Sequence, residues 1–301
     1  MGKKIVIAGG SGFIGEPLAR QLIARGDDVV VLSRKPSGVR AGRGVSWDAK
    51  TQGPWSAEVA NADVIINLAG ANIGDGRWTH ERKGRIVESR LDATKALIEA
   101  LRAAPARART FISASAIGYY GPHDDELIDE STPSGDDFLS SVCRRWEEAA
   151  RGADPLARLV IFRIGIVLAK DGGALGKMLL PFRLFAGGKF GSGRQWMSWI
   201  TRDDLLRMIE WSIDQEIAKG VYNATSPHPV RNAELTRVLA RTLHRPALAS
   251  VPAIALRIAL GEMGESLLLA GQRVRPVHAL DDGFSFVHEQ LEPALRELLV
   301  T

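Results

Sequence analysis

Over the first 165 residues, short apolar runs alternate with longer stretches whose apolar positions recur at helical spacing. Lys4–Ala8, Asp28–Leu32, Asp63–Leu68, Thr110–Ser115 and Leu159–Val167 have the length and continuous hydrophobicity of strands buried on both faces. Between them, Gly15–Arg25, Glu81–Ala103 and Phe138–Ala150 read as helices; Ile86, Leu91, Ala93, Leu97 and Leu101 mark the apolar positions of the second. Strands and helices in this alternation predict βαβ units, hence an α/β fold with a doubly wound parallel sheet. After Leu168 the texture changes. Gly172-Gly173, Gly187-Gly188 and Gly191–Gly193 interrupt the apolar segments and predict long loops. Arg202–Trp211 and Asn232–Leu243 read as helices with a short strand, Val221–Ala224, between them. Pro252–Ala270 reads as an apolar helical region and Pro276–Leu299 as a loop and tail. Residues 1–165 therefore form one domain, 200–230 return to it, and 166–301 are mainly a smaller C-terminal lobe.

Composition changes this picture little. A chain of 301 residues with 45% hydrophobic and 25% charged residues is an ordinary globular protein that needs no disulfides. The single cysteine, Cys143, suits a reducing compartment. A surplus of four basic residues, scattered along the chain, argues against nucleic acid as a partner. Lys3-Lys4 imitates the start of a signal peptide, but the apolar run behind it stops at Gly9. No stretch reaches the ~20 apolar residues of a membrane span. The expectation is a cytoplasmic protein that is not membrane-bound.

The first strand runs into the first helix through Gly9-Gly10-Ser11-Gly12-Phe13-Ile14-Gly15, with glycines at every third position. A tight turn, close approach of backbone to a pyrophosphate, and close helix–strand packing each require a glycine there. The helix N-terminus supplies free N–H groups for the anion. In this strand-to-helix context the spacing predicts a Rossmann-type dinucleotide site. The second strand ends in Ser33-Arg34-Lys35, where an NAD-preferring protein would place an acid. Arg34 suits a 2′-phosphate, so NADP(H) is the expected cofactor. The small residues of Asn67-Leu68-Ala69-Gly70 would let the dinucleotide cross the sheet edge.

Taken with Ser113–Gly121, Trp199–Asp204 and Val221–Ala224, these segments resemble the extended short-chain dehydrogenase/reductase superfamily over nearly the whole chain. Ser33–Pro36, Ala71–Ile73, Ser89–Leu91, Trp146-Glu147, Leu180–Arg183, Leu267–Pro276 and Gly283–Phe286 narrow the resemblance. They match the NAD-dependent epimerase/dehydratase-like (nucleoside-diphosphate-sugar epimerase-like) subfamily with its own C-terminal domain, some of whose members carry a cell-division-inhibitor label. The resemblance implies that Ser33, Arg34, Leu68, Ala69, Arg90 and Ile166 line the NADP site beside the glycine loop. Arg77, Arg82, Lys83 and Arg85, near Arg90, read instead as a solvated basic face.

Active members of the superfamily use a Tyr-x-x-x-Lys pair in which the lysine lowers the tyrosine pKa. Here the resemblance puts Leu139 in the tyrosine register and Cys143 in the lysine register, and neither can do that work. Ser115 matches the usual hydroxyl, and Tyr119 or Tyr120 is a candidate for the missing phenol. By resemblance, Leu175–Trp199 closes over a polar small-molecule substrate, a sugar nucleotide for instance, with Arg183, Arg194, Gln195 and Trp196 as candidate contacts. Asp203-Asp204 looks like a carboxylate pair, but Asp204 before a helix reads better as a cap or first-turn charge. The six histidines show no pair at metal-ligand spacing, and no Gly-x-Ser-x-Gly elbow occurs. Two functions fit: an NADP(H)-dependent oxidoreductase or epimerase with a degraded catalytic pair, or a non-enzymatic NADP(H)-responsive regulatory protein. A homodimer is the superfamily habit.

Overall fold

Seven strands form one parallel sheet: β1 (Lys4–Ala8), β2 (Asp28–Ser33), β3 (Arg43–Ser46), β4 (Val64–Asn67), β5 (Thr110–Ala116), β6 (Arg158–Ile164) and β7 (Gly220–Ala224). The computed structural model describes residues 2–105, 109–247 and 249–300. The strand order is β7-β6-β5-β4-β1-β2-β3. Order reverses between β1 and β4, which opens a crevice at the strands' C-terminal ends, where ligands of such sheets bind.

The buried runs work because each strand feeds two cores. Ile5 and Ile7 pack with helix α1 (Gly15–Ala24), and Val6 and Ala8 point into the opposite cluster. That second cluster packs the sheet against α2 (Ser56–Ala60) and α3 (His80–Arg102), with Ala150 at the end of α4 (Phe138–Arg151). A third apolar cluster holds the smaller lobe together. It joins α5 (Gly173–Arg183) to α7 (Asn232–Thr242), after α6 (Arg202–Asp214) has packed back on the sheet.

Three segments depart from the expected pattern. Leu159–Val167 is not one strand: β6 stops at Ile164, and Ile166–Ala169 pairs instead with Trp199–Thr201. Gly165 permits the break, since a Cβ there would stand 2.6 Å from the Ser198 carbonyl oxygen. Pro252–Ala270 is interrupted at Gly261, whose φ of 62° ends α8 (Ala253–Leu260) before two short helical turns. The segment Pro276–Leu299 is not a loop and tail. It contains Val277–Asp281 and α9 (Leu291–Val300), whose Leu291, Ala294 and Leu295 bury against the third cluster. Pro293 falls in the first turn of α9, where its missing N–H costs no helical bond. No helix among the described residues is long and apolar enough to cross a membrane.

Candidate functional site

The glycine loop forms its cradle by backbone contact. Gly9 has φ 81°, and a Cβ on it would lie 2.8 Å from the Leu68 carbonyl carbon. The Gly12 N–H closes the turn on the Gly9 carbonyl at 3.1 Å. Gly9, Ser11 and Gly12 face a cleft of about 910 Å³ that lies across the β1/β4 crevice. The rest of the loop secures the cradle. The Phe13 ring lies against Gly172 and Gly173, with the Arg202 guanidinium 5.1 Å from its centre, and Ile14 packs into the core beside α1. Gly15 begins the helix close under the turn.

Ser33, Arg34 and Lys35 line the cleft beyond β2. The Ser33 hydroxyl accepts the Lys35 N–H at 3.1 Å and so fixes this turn. Arg34 is exposed and has no hydrogen bond or ion pair among the described residues. Leu68, Ala69 and Gly70 form the floor at the end of β4. Buried Asn67 shapes that floor: its amide donates to Thr94 at 2.9 Å, and its carbonyl accepts the Ala69 N–H at 3.2 Å.

Arg90 stands behind this floor, outside the lining. One guanidinium nitrogen donates to the Ala71 and Ile86 carbonyls at 3.1 and 2.9 Å, and burial pulls its pKa below the ordinary arginine range. A Cβ at Gly70 would come within 3.1 Å of that guanidinium. Ile166 packs against the third cluster and does not line the cleft. The cleft instead takes Arg82, Arg85, Ser89 and Asp92 from α3. Their spacing puts them on one face of that helix, a sequence signal that the basic-face reading passed over. Arg82 donates to the Asn72 carbonyl while its Nε is buried without a partner. Trp47, after β3, also lines the cleft with an unpartnered buried indole N–H.

A second polar assembly sits at the end of β5. Ser115, Arg163 and Asn223 lie side by side across β5, β6 and β7. The Ser115 hydroxyl donates to Glu147 of α4 at 2.7 Å, and Glu147 takes two bonds from Arg163 at 2.8 and 2.9 Å. Arg163 also donates to the Tyr120 hydroxyl at 3.0 Å, which in turn donates to Asn223 at 2.7 Å. Burial pushes the Tyr120 phenol up to about 12. The Tyr119 ring is stacked 3.4 Å from the Arg163 guanidinium and packs on the cluster of Ile117, Ile128 and Val274. Ser115 and Tyr120 are thus built into a closed network, and neither they nor Tyr119 line the cleft.

Leu139 and Cys143 lie beside this assembly. A Cβ at Gly118 would be 3.2 Å from that of Leu139. Burial, reinforced by Glu147, pushes the Cys143 thiol up to about 12. A neutral thiol reacts poorly with electrophiles. The folded protein is expected to resist iodoacetamide at neutral pH and to take up one equivalent once unfolded, as read by intact mass.

In the smaller lobe, Arg183 and Arg194 are exposed, whereas Gln195 and Trp196 are engaged. The Gln195 amide donates to the Phe190 and Leu268 carbonyls at 3.2 and 2.6 Å. The Trp196 indole donates to Asp125 at 2.9 Å, with Arg231 and Arg273 over its ring at 4.1 and 4.8 Å. Thr201, not Asp204, caps α6. Asp204 is a buried first-turn carboxylate that accepts the Val287 and His288 N–H groups at 2.9 and 2.8 Å.

The doubly wound sheet and glycine loop define a Rossmann-type fold of the short-chain dehydrogenase/reductase kind. A family model described as the NAD dependent epimerase/dehydratase family matches residues 5–142, and a domain of unknown function (DUF1731) matches residues 251–298. The chain is 39% identical, over 98% of its length and 86% of the relative's, to the epimerase family protein SDR39U1 homolog, chloroplastic, of Arabidopsis thaliana. The crystal structure of human epimerase family protein SDR39U1 with NADPH matches at a TM-score of 0.90 and 35% identity, covering 99% of both chains. UDP-glucuronic acid 4-epimerase from Bacillus cereus shares the fold at 16% identity and a TM-score of 0.77, over 98% of this chain and 97% of that one. The chain belongs to the NAD dependent epimerase/dehydratase family, in the branch that carries the DUF1731 domain.

Proposed function

We propose that this chain binds NADP(H) across the sheet edge and acts as a short-chain oxidoreductase that works without a resident tyrosine–lysine pair. The cleft carries the reading: a glycine cradle with no room for Cβ atoms, facing a guanidinium that has no partner among the described residues. The NADPH in the human relative's structure supports the same cofactor. When bound, NADP(H) supplies or accepts a hydride. The chain's own residues bind and orient it. The Gly12-to-Gly9 bond holds the turn in shape, so that Ser11 and the positive end of α1 face a pyrophosphate. Arg34 holds a 2′-phosphate, and Arg82 and Arg85 extend the positive wall.

Arg34→Ala is expected to weaken NADPH binding roughly tenfold to hundredfold, the worth of a charge-assisted hydrogen bond, and to leave NADH binding unchanged. Calorimetric titration of both cofactors checks this, and equal losses for the two would sink the assignment. Hydride transfer itself is tested with NADPH deuterated at the transferable position and a metabolite extract. A protein-dependent gain of one deuterium identifies a reductase.

A non-enzymatic, NADP(H)-responsive role is the second reading, and one arrangement favours it. Ala71, Asn72 and Asp75 line the cleft, and the same loop is tied to the smaller lobe. Arg77 donates to the Ile258 carbonyl of α8 and Lys177 of α5 donates to the Gly74 carbonyl at 3.2 Å, while from α3, just beyond the loop, Lys83 pairs with Glu262 at 2.5 Å. Cofactor in the cleft would bear on α8, whose Ile254 and Ile258 are exposed. Partner capture that depends on NADPH, with no deuterium transfer, would favour this role.

A further inference from the structure

We propose that Asp75 is a built-in competitor of the cofactor's pyrophosphate: it holds Arg82, weakens NADP(H) binding and keeps the cofactor an exchanging co-substrate. The inference rests on the NADP(H) reading above and adds how that site limits its own affinity.

Three acids line the cleft, and they are engaged differently. Asp48 closes its own turn, accepting the Lys50 and Thr51 N–H groups and the Thr51 hydroxyl at 2.8, 2.9 and 2.5 Å. Asp92 of α3 stands 3.7 Å from the exposed Lys50 ammonium. Asp75, in the loop after β4, stands 3.9 Å from the guanidinium of half-buried Arg82. Arg82 also donates to the Asn72 carbonyl of that loop, and its Nε is buried without a partner. The loop therefore occupies this cation without satisfying it. A phosphate oxygen is a stronger acceptor than a carbonyl or a carboxylate at that distance. Arg34 lies beyond β2 and Arg82 on α3, after β4, so the two serve different parts of a dinucleotide lying across the crevice.

The loop is not free to withdraw when the cofactor arrives, because it is anchored within itself and on its far side. Asn72 donates to Asp75 at 2.9 Å and accepts the Gly74 N–H at 2.9 Å. Lys177 of α5 donates to the Gly74 carbonyl at 3.2 Å, and Arg77 donates to the Ile258 carbonyl of α8. Asp75 is thus a carboxylate held at the cleft wall, ready to take Arg82 back from a bound phosphate.

Such a contact suits a reductase. NADPH that has given up its hydride is NADP+, which must leave before the next cycle. An epimerase that returns its own hydride has no such need. A carboxylate that recaptures Arg82 favours release.

Asp75→Asn carries the test, because asparagine can still accept the Asn72 amide and removes the charge. It is expected to tighten NADPH about fivefold, the upper worth of an exposed ion pair, chiefly through slower dissociation. NADH should tighten equally, since the pyrophosphate is common to both. Calorimetry gives the affinities and stopped-flow fluorescence the dissociation rate. Arg82→Gln is expected to weaken NADPH about tenfold, and adding Asp75→Asn to it should restore nothing. If wild type binds NADPH and Asp75→Asn binds it no tighter, the competition is overturned and the cofactor reading stands. A gain that persists in full without Arg82 would reduce Asp75 to simple repulsion and overturn it as well. A gain with NADPH alone would put Arg82 on the 2′-phosphate and overturn the pyrophosphate assignment. Absence of NADPH binding by wild type would defeat both readings together.

Discussion

An Arg163→Leu variant is expected to lose about 3–5 kcal/mol of stability, the usual cost of removing one partner from a buried ion pair. Arg163 and Glu147 are each 3% exposed, and the guanidinium meets the carboxylate through two parallel bonds. With leucine in place, the Glu147 carboxylate would keep only the Ser115 hydroxyl, and Tyr120 would lose the donor to its oxygen. The stacked face of Tyr119 would lose its cation as well. The desolvation already suffered by Glu147 would then be uncompensated. Urea unfolding measures the effect. The double variant Arg163→Leu with Glu147→Leu is the discriminating control, since removing both charges removes the unpaired one. It is expected to be more stable than Arg163→Leu alone. A single variant within about 1 kcal/mol of wild type would mean that water reaches the pair, as it does for exposed ion pairs.

That network also shows where reading the sequence stops. β1 could be placed from five consecutive residues because its apolar run and the glycines behind it are local signals. The cradle was legible for the same reason: spacing along one turn determines which backbone atoms meet. Glu147, Arg163 and Asn223 come from three elements separated by 16 and 60 residues, and only the sheet's register sets them together. Each alone looks like a polar residue in an amphipathic segment. Arg82 and Arg85 escaped for a related reason, since a basic helical face is the same string whether it meets water or a cleft. The C-terminal region was misread where local signals compete. Pro293 in the first turn does not disturb the helix, and the burial of Leu291, Ala294 and Leu295 against the third cluster, a long-range contact, is what makes the segment helical.

Gly15→Ala is expected to lower NADPH affinity by about two orders of magnitude or more, a larger loss than removal of Arg34. The added Cβ would stand 2.3 Å from the Gly9 carbonyl oxygen and 2.6 Å from the Gly10 Cα. Both are backbone atoms, so no side-chain rotation relieves the clash. Retreat toward β2 is blocked as well, because Gly10 is already tight against Val31, where a Cβ would lie 2.8 Å from the side-chain methyls. The turn must therefore move into the cleft, where the pyrophosphate is expected, and the Gly12-to-Gly9 bond must loosen with it. Loss of that bond geometry removes several backbone donors together, which explains an effect beyond one hydrogen bond. Overpacking should also cost about 1–3 kcal/mol of stability. Gly84→Ala in α3 is the informative contrast. Its nearest neighbour would be a Glu88 carboxylate oxygen at 3.9 Å, so it should gain up to ~1 kcal/mol of helix stability and keep its NADPH affinity. Calorimetric titration beside thermal unfolding separates the two cases. A Gly15→Ala protein that kept wild-type NADPH affinity would place the cofactor's phosphates away from this turn.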